Sequence, residues 1–160
     1  MFKNKFYFAF LLLVILLVGC QVRSVKLAEV VIGQQTICAE VADQPTQWAR
    51  GLSGRASLAP ERGMLFVFPR AAIQSFWMKE MRFPLDIIWI NNDRIVEAWS
   101  DAPIPSGNQV PSYRPKNLAN YVLEVSAGIL EKYGWQVGEV VKINLASTTC
   151  QNSAKVYNIR

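Results

Sequence analysis

The sequence predicts a β-dominated α+β domain, with about eight short, mostly antiparallel strands in a partly closed, barrel-like sheet and two short helices. Three observations carry this. The apolar runs, such as 64–68 and 85–90, are short and rich in Phe, Trp and Ile, which favours strand over helix. These runs follow one another with turn residues between them, and only two stretches have helical spacing. Several strands are apolar on both faces, which calls for closure of the sheet or cover by a helix.

The elements can be justified in order. Residues 25–32 and 35–42 are β-rich and joined by Gly33-Gln34, a glycine-first pair suited to a tight hairpin. Asp43-Gln44-Pro45 starts a short helix, with Trp48 and Leu52 on one face and Gly51 and Gly54 weakening its end. Strands are expected at 64–68, 75–79 and 85–90, with Pro69 and Pro84 at strand edges where a missing N–H is tolerated. Asn91-Asn92-Asp93 is a turn, and 94–99 returns as the other arm of a hairpin. Residues 101–117 contain four prolines and no periodicity, the mark of a functional or mobile loop. Residues 121–125 form a strand, 127–133 two helical turns ended by Gly134, and 139–146 the last strand. Residues 26–146 are thus one globular domain, followed by a polar tail, 147–160, expected to be loose.

The start of the chain speaks to location. Lys3 and Lys5 form a positive head, 6–18 is an unbroken apolar run of thirteen residues, and Leu17-Val18-Gly19-Cys20 resembles the bacterial lipobox. Residues 1–19 therefore read as a lipoprotein signal peptide. The alternative is a transmembrane helix, which needs roughly 20 apolar residues. On the first reading Cys20 is the acylated first residue, 20–25 is a tether, and membrane lipid is a partner. Gln21, rather than Asp, after the cysteine favours the outer membrane over the inner one, with the domain facing the periplasm. Arg23 and Lys26 either meet lipid head groups or belong to a solvated linker.

Composition narrows the function classes. The precursor carries a net charge of +5; without Lys3 and Lys5, fifteen cations face twelve acids. The cations form no run or stripe, so no nucleic-acid partner is expected. Histidine is absent, which removes Ser-His-Asp and Cys-His sites and most zinc sites. No phosphate-cradling or dinucleotide-binding glycine motif occurs, so no cofactor and no metal is expected. In an oxidising compartment Cys38 and Cys150 are a candidate disulfide; the alternative is a buried Cys38 and a frayed Cys150.

An ionic set remains, embedded in apolar strands. In an extended 75–79, Ser75, Trp77 and Lys79 share one face, and Phe76 and Met78 the other. Asp86 shares a face with Ile88 and Ile90, and Glu124 with Val122, so both acids are expected to be partnered by some of Arg50, Arg55 and Lys79. Arg50, Arg55, Ser75, Trp77, Lys79, Asp86 and Glu124 are the candidate ligand-binding residues. Either they surround a pocket for a small polar or anionic ligand, or they form a structural ion-pair network that fixes register. A Ser75–Lys79 dyad is disfavoured, because i, i+4 on a strand spans about 13 Å.

Serial motifs then add a family. Arg50-Gly51-Leu52 with Arg55 and Ser57-Leu58, Gly63-Met64-Leu65-Phe66-Val67-Phe68, Ser75-Phe76-Trp77-Met78-Lys79, Pro84-Leu85-Asp86-Ile87, Tyr121-Val122-Leu123-Glu124-Val125 with Ala127-Gly128, and Val137-Gly138-Glu139 occur in order. With these the chain resembles the bacterial and archaeal domain of unknown function 192 family, over nearly the whole domain. Some relatives carry a cysteine pair in the long loop; 101–117 has none, so the resemblance implies no metal or redox role there. It implies fold and envelope context but no reaction. The expected function is a non-catalytic envelope module that binds a small ligand, glycan or peptide. The alternatives are a structural or assembly partner of another envelope protein, and a hydrolase using Lys79, Asp86 or Glu124 as acid or base. The sequence leaves oligomeric state open.

Overall fold

In the computed structural model, which describes residues 25–107, 109–147 and 150, the chain folds as a β-dominated α+β domain. The described elements are β1 (Leu27–Ile32), β2 (Gln35–Ala42), α1 (Pro45–Arg50), β3 (Arg62–Ala72), β4 (Phe76–Trp77), β5 (Leu85–Asn91), β6 (Arg94–Ala102), β7 (Ser112–Tyr113), β8 (Ala119–Ser126), α2 (Ile129–Tyr133) and β9 (Val141–Asn144). The expected signal peptide, 1–19, and residues 20–24 of the expected tether, with Cys20, lie outside the described residues. So does most of the polar tail, of which Ser147 and Cys150 are described.

Seven strands form one sheet in the order β6-β5-β8-β3-β2-β1-β9, and β4 pairs with β7 separately. Every pairing is antiparallel except β2 with β3. That parallel pair requires a crossover, and α1 lies in it. The sheet curls until its two outer strands approach. Arg94 bridges Val140, and Ile95 N–H donates to Glu139 O at 3.0 Å while Gly138 N–H donates to Ile95 O at 2.8 Å. Closure is partial, because these contacts engage only the start of β6.

Both faces of the sheet are apolar. Inside the curl, all seven strands contribute to one cluster, for example Val30, Ile37, Leu65, Ile88, Ile95, Leu123 and Val141, covered by Leu130 of α2 and by Trp135. On the opposite face Met64, Phe66, Ile87, Trp89 and Val122 pack beneath Leu52, Met78, Met81 and Tyr113. Each large side chain fully buried this way contributes about 1.5–3 kcal/mol.

The structure departs from the sequence-based expectations in the middle of the chain. The strand expected at 75–79 is reduced to Phe76–Trp77. The loop expected at 101–117 is partly structured: β6 runs on to Ala102, and Ser112 and Tyr113 pair with Trp77 and Phe76. A pairing between segments 35 residues apart leaves no periodic trace in either one. Pro69 lies inside β3, not at its edge, where the register with β8 slips between Val67 and Ala72. A missing N–H is accommodated at such an irregularity. Cys38 of β2 is disulfide-bonded to Cys150, whose side chain is fully buried, and Ser147 Oγ donates to Glu29 at 3.1 Å.

Candidate functional site

The site is built where α1, β3, β4 and β8 meet on the sheet face outside the curl. Pro45 opens α1, and Gln47 Oε1 accepts the N–H groups of Asp43 and Gln44, both at 2.9 Å. The helix ends at Gly51, whose φ of 50° places it in the left-handed region. A Cβ there would come within 3.3 Å of the Phe66 ring and 3.9 Å of Glu124 Oε2. Glycine therefore lets the helix end lie directly over the Glu124 carboxyl.

Around that carboxyl is a cavity of about 430 Å³. One wall is a chain of rings: Trp48 to Phe68 at 5.0 Å, Phe68 to Phe76 at 6.5 Å, and Phe76 to Phe66 at 4.7 Å between centroids. Trp48 is oriented by its Nε1–H, which donates to Ala42 O at 2.9 Å. Trp77 is half-exposed at the rim, and Arg50, Ser75 and Glu124 also line the cavity.

Glu124 is 5 % exposed, and its cross-strand neighbours are Met64 and Ile87. No hydrogen bond or ion pair reaches its carboxyl among the described residues. Burial pushes its pKa up from 4.5 to about 8, against a smaller opposing pull from the charge of Arg55. At neutral pH it is a carboxylic acid, able to donate and to accept a hydrogen bond.

The expectation that cations partner both acids is corrected. Arg55 pairs with Glu40 of β2 through both oxygens, one contact at 2.7 Å, and this raises the Arg55 pKa. Asp86 is fully buried and takes no cation: its carboxyl accepts the N–H groups of Asp101 at 2.9 Å and Leu130 at 2.8 Å. It lies on the inner face of the sheet, away from Glu124. Lys79 does not line the cavity; its Nζ lies 4.0 Å from Glu80 and 5.8 Å from the Trp77 ring centroid, in solvent. Arg50, Ser75, Trp77 and Glu124 are thus brought together, Arg55 stands behind Glu124, and Lys79 and Asp86 are elsewhere. The aromatic wall was missed, since Phe66, Phe68 and Phe76 read as core from their strands alone. The signal for Trp48 was its placement just before Arg50-Gly51. Among the described residues no group of acids or cysteines could hold a metal ion, and no helix is long and apolar enough to cross a membrane.

Comparison with known proteins adds fold and family. A protein of Sinorhizobium meliloti 1021, provisionally named a transcription regulator, is similar in structure with a TM-score of 0.64 and 26% identity, over 74% of this chain and 93% of its own. A protein of unknown function from Novosphingobium aromaticivorans DSM 12444 is similar with a TM-score of 0.67 and 25% identity, over 76% of this chain and 89% of its own. No curated protein matches the sequence significantly. The model of the domain of unknown function 192 family, described as "Uncharacterized ACR", matches residues 28–143, and the chain belongs to that family.

Proposed function

We propose that this protein is a lipoprotein of the bacterial envelope whose domain binds a small ligand, glycan or peptide without chemical turnover. It is anchored through acylated Cys20 and faces the periplasm, with the outer membrane favoured. One observation carries the binding part: an aromatic-walled cavity of about 430 Å³ holds a buried acid, Glu124, with no hydrogen bond or ion pair, and an Arg50 side chain with no ionic partner, both among the described residues. Polar groups left unpaired in an apolar cleft are what a ligand pairs with on binding. The anchor rests on the 6–18 apolar run and the Leu-Val-Gly-Cys motif. The regulator name of the Sinorhizobium protein is not carried over, and no nucleic-acid partner is proposed, since the cations here form no stripe.

Thermal-shift screening of the purified chain against sugars, muropeptides, amino acids and organic anions tests the binding reading. A hit whose shift is reduced by Trp77→Ala and Glu124→Gln supports it; no shift from any class overturns it. Metabolic labelling with an alkyne fatty acid tests the anchor, which falls if wild type takes up no more label than Cys20→Ala.

A second reading is favoured by Glu124 itself. A carboxyl with pKa about 8 in an open cleft can act as a general acid near neutral pH. Hydrolysis of an envelope substrate that disappears in Glu124→Gln with folding intact would replace the non-catalytic reading.

A further inference from the structure

We infer that the cavity takes a small zwitterion, with the ligand's ammonium group set against the Glu124 carboxyl inside the aromatic wall and its carboxylate or phosphate on the Arg50 guanidinium. This rests on the binding reading of the same cavity and specifies its ligand class. The two ionisable groups that line it differ in kind: a buried acid with no hydrogen bond and an exposed arginine with no ion pair among the described residues. Trp48, Phe68, Phe76 and Trp77 line the same cavity.

Each end has one chemistry that it serves best. Aromatic rings attract an ammonium group through their negative faces, most of all where water is excluded. A guanidinium grips a carboxylate or phosphate with two parallel hydrogen bonds. An ammonium group entering beside Glu124 also allows the acid to ionise, because the pair shares the desolvation that disfavours a lone charge. The proton then leaves Glu124 for solvent, one per ligand bound. A neutral sugar would leave Arg50 unpaired, and a plain anion would make no use of the aromatic rings' attraction for a cation.

The other charges near Glu124 do not compete for this role. Arg55, from the segment after α1, has its hydrogen bonds taken by Glu40 and reaches Glu124 only through its charge. Met64 and Ile87 on the flanking strands carry no charge, nor do Ser75, Phe76 and Trp77 at β4, and Lys79 beyond them points to Glu80.

Titration calorimetry of the full chain in an uncharged detergent tests the inference, with alanyl-alanine and glycerophosphoethanolamine as probes. The first carries the zwitterion of a peptide and the second that of a lipid headgroup. Each is compared with its N-acetyl derivative and with glucose. Binding of either probe is expected to weaken at least tenfold on N-acetylation. Affinity should rise roughly tenfold per pH unit from pH 5.5 to 7.5, with one proton released. Glu124→Gln should abolish the proton release, while Arg50→Ala should weaken binding about tenfold and preserve it. Equal binding of the N-acetyl forms, or binding of glucose without proton release, overturns the zwitterion and leaves the binding module intact. So does failure of both probes where the broad screen yields another ligand. Failure of every compound in that screen removes the parent reading as well.

Discussion

Asp86 on β5 and Glu124 on β8 are acids on neighbouring strands, one residue out of register: Asp86 is opposite Val125, and Ile87 is opposite Glu124. A strand turns successive side chains to opposite faces, so this single-residue offset sends the two carboxyls to different sides of the sheet. On the inner side Asp86 meets the start of α2 and the end of β6, where two backbone N–H groups have no other use. On the outer side Glu124 meets an aromatic ring-lined cavity and a glycine, and among the described residues nothing donates to it. Equal burial thus produces a structural clamp in one place and a poised acid in the other. Burial of a polar group alone does not mark a site; burial without a partner beside a cavity does.

The largest effect expected is on the satisfied acid. Asp86→Ala removes the acceptor for two backbone N–H groups, Leu130's buried and Asp101's part-buried, and is expected to destabilise the protein by about 3–5 kcal/mol in urea unfolding. A loss below about 1 kcal/mol would mean that water or other groups satisfy those N–H groups, and the contrast between the two acids would fail.

The next effect is on the unsatisfied acid and depends on pH. The folded pKa of Glu124 lies above its unfolded value, so between pH 4.5 and about 8 the native state holds a proton that the unfolded state has released. Stability contributed by keeping it protonated is present below pH 4.5, falls as pH rises through that window, and is flat above it. Each pH unit corresponds to about 1.4 kcal/mol, a ceiling near 5 kcal/mol that water entering the cavity reduces. Glu124→Gln is accordingly expected to equal wild type at pH 5 and to exceed it by about 2–3 kcal/mol at pH 9. Parallel unfolding curves at all pH values would show that Glu124 is not held neutral.

How far the sequence anticipated these two sites follows from what alternation and turn chemistry can carry. The hairpin over β1 and β2, the short β runs and the α1 region are local patterns, and the fold class followed from them. Alternation also put Ser75, Trp77 and Lys79 on one face and Phe76 and Met78 on the other, and the first three are exposed while Phe76 and Met78 pack against the sheet. What a single strand does not encode is register against a neighbour. The expected cation partner for Asp86 therefore failed, because α2 and β6 each supply it an N–H group, and Arg55 reaches Glu124 only through its charge, its hydrogen bonds being drawn to Glu40. The pairing of β4 with β7 was hidden for the same reason: nothing in Ser112-Tyr113 specifies Trp77 as its neighbour.

A smaller effect tests the roof of the cavity. Gly51→Ala places a side chain on a backbone at φ 50° and against the Phe66 ring. A loss of about 1–2 kcal/mol is expected from strain and contact together. Ligand binding should weaken beyond what the loss of stability explains, since the new methyl group stands over the Glu124 carboxyl. A variant with unchanged stability and binding would place the roof of the cavity elsewhere.

The smallest structural effect is expected at Arg50, and its smallness is the point. Arg50 is exposed and has no ionic partner among the described residues, so Arg50→Ala should shift stability by less than about 0.5 kcal/mol. Arg55 differs in both respects. It is half-buried, bonded to both oxygens of Glu40, and its charge holds the Glu124 pKa below where burial alone would put it. Arg55→Ala should therefore destabilise the fold and move the pH midpoint assigned to Glu124 upward, whereas Arg50→Ala should leave that midpoint in place. The two arginines then separate along the same line as the two acids, one spent on the fold and one left for a ligand. Urea unfolding from pH 5 to 9 on both variants checks this. An Arg50→Ala variant as destabilised as Arg55→Ala would return Arg50 to the structural network and leave Glu124 as the ionisable group of the cavity free to meet a ligand.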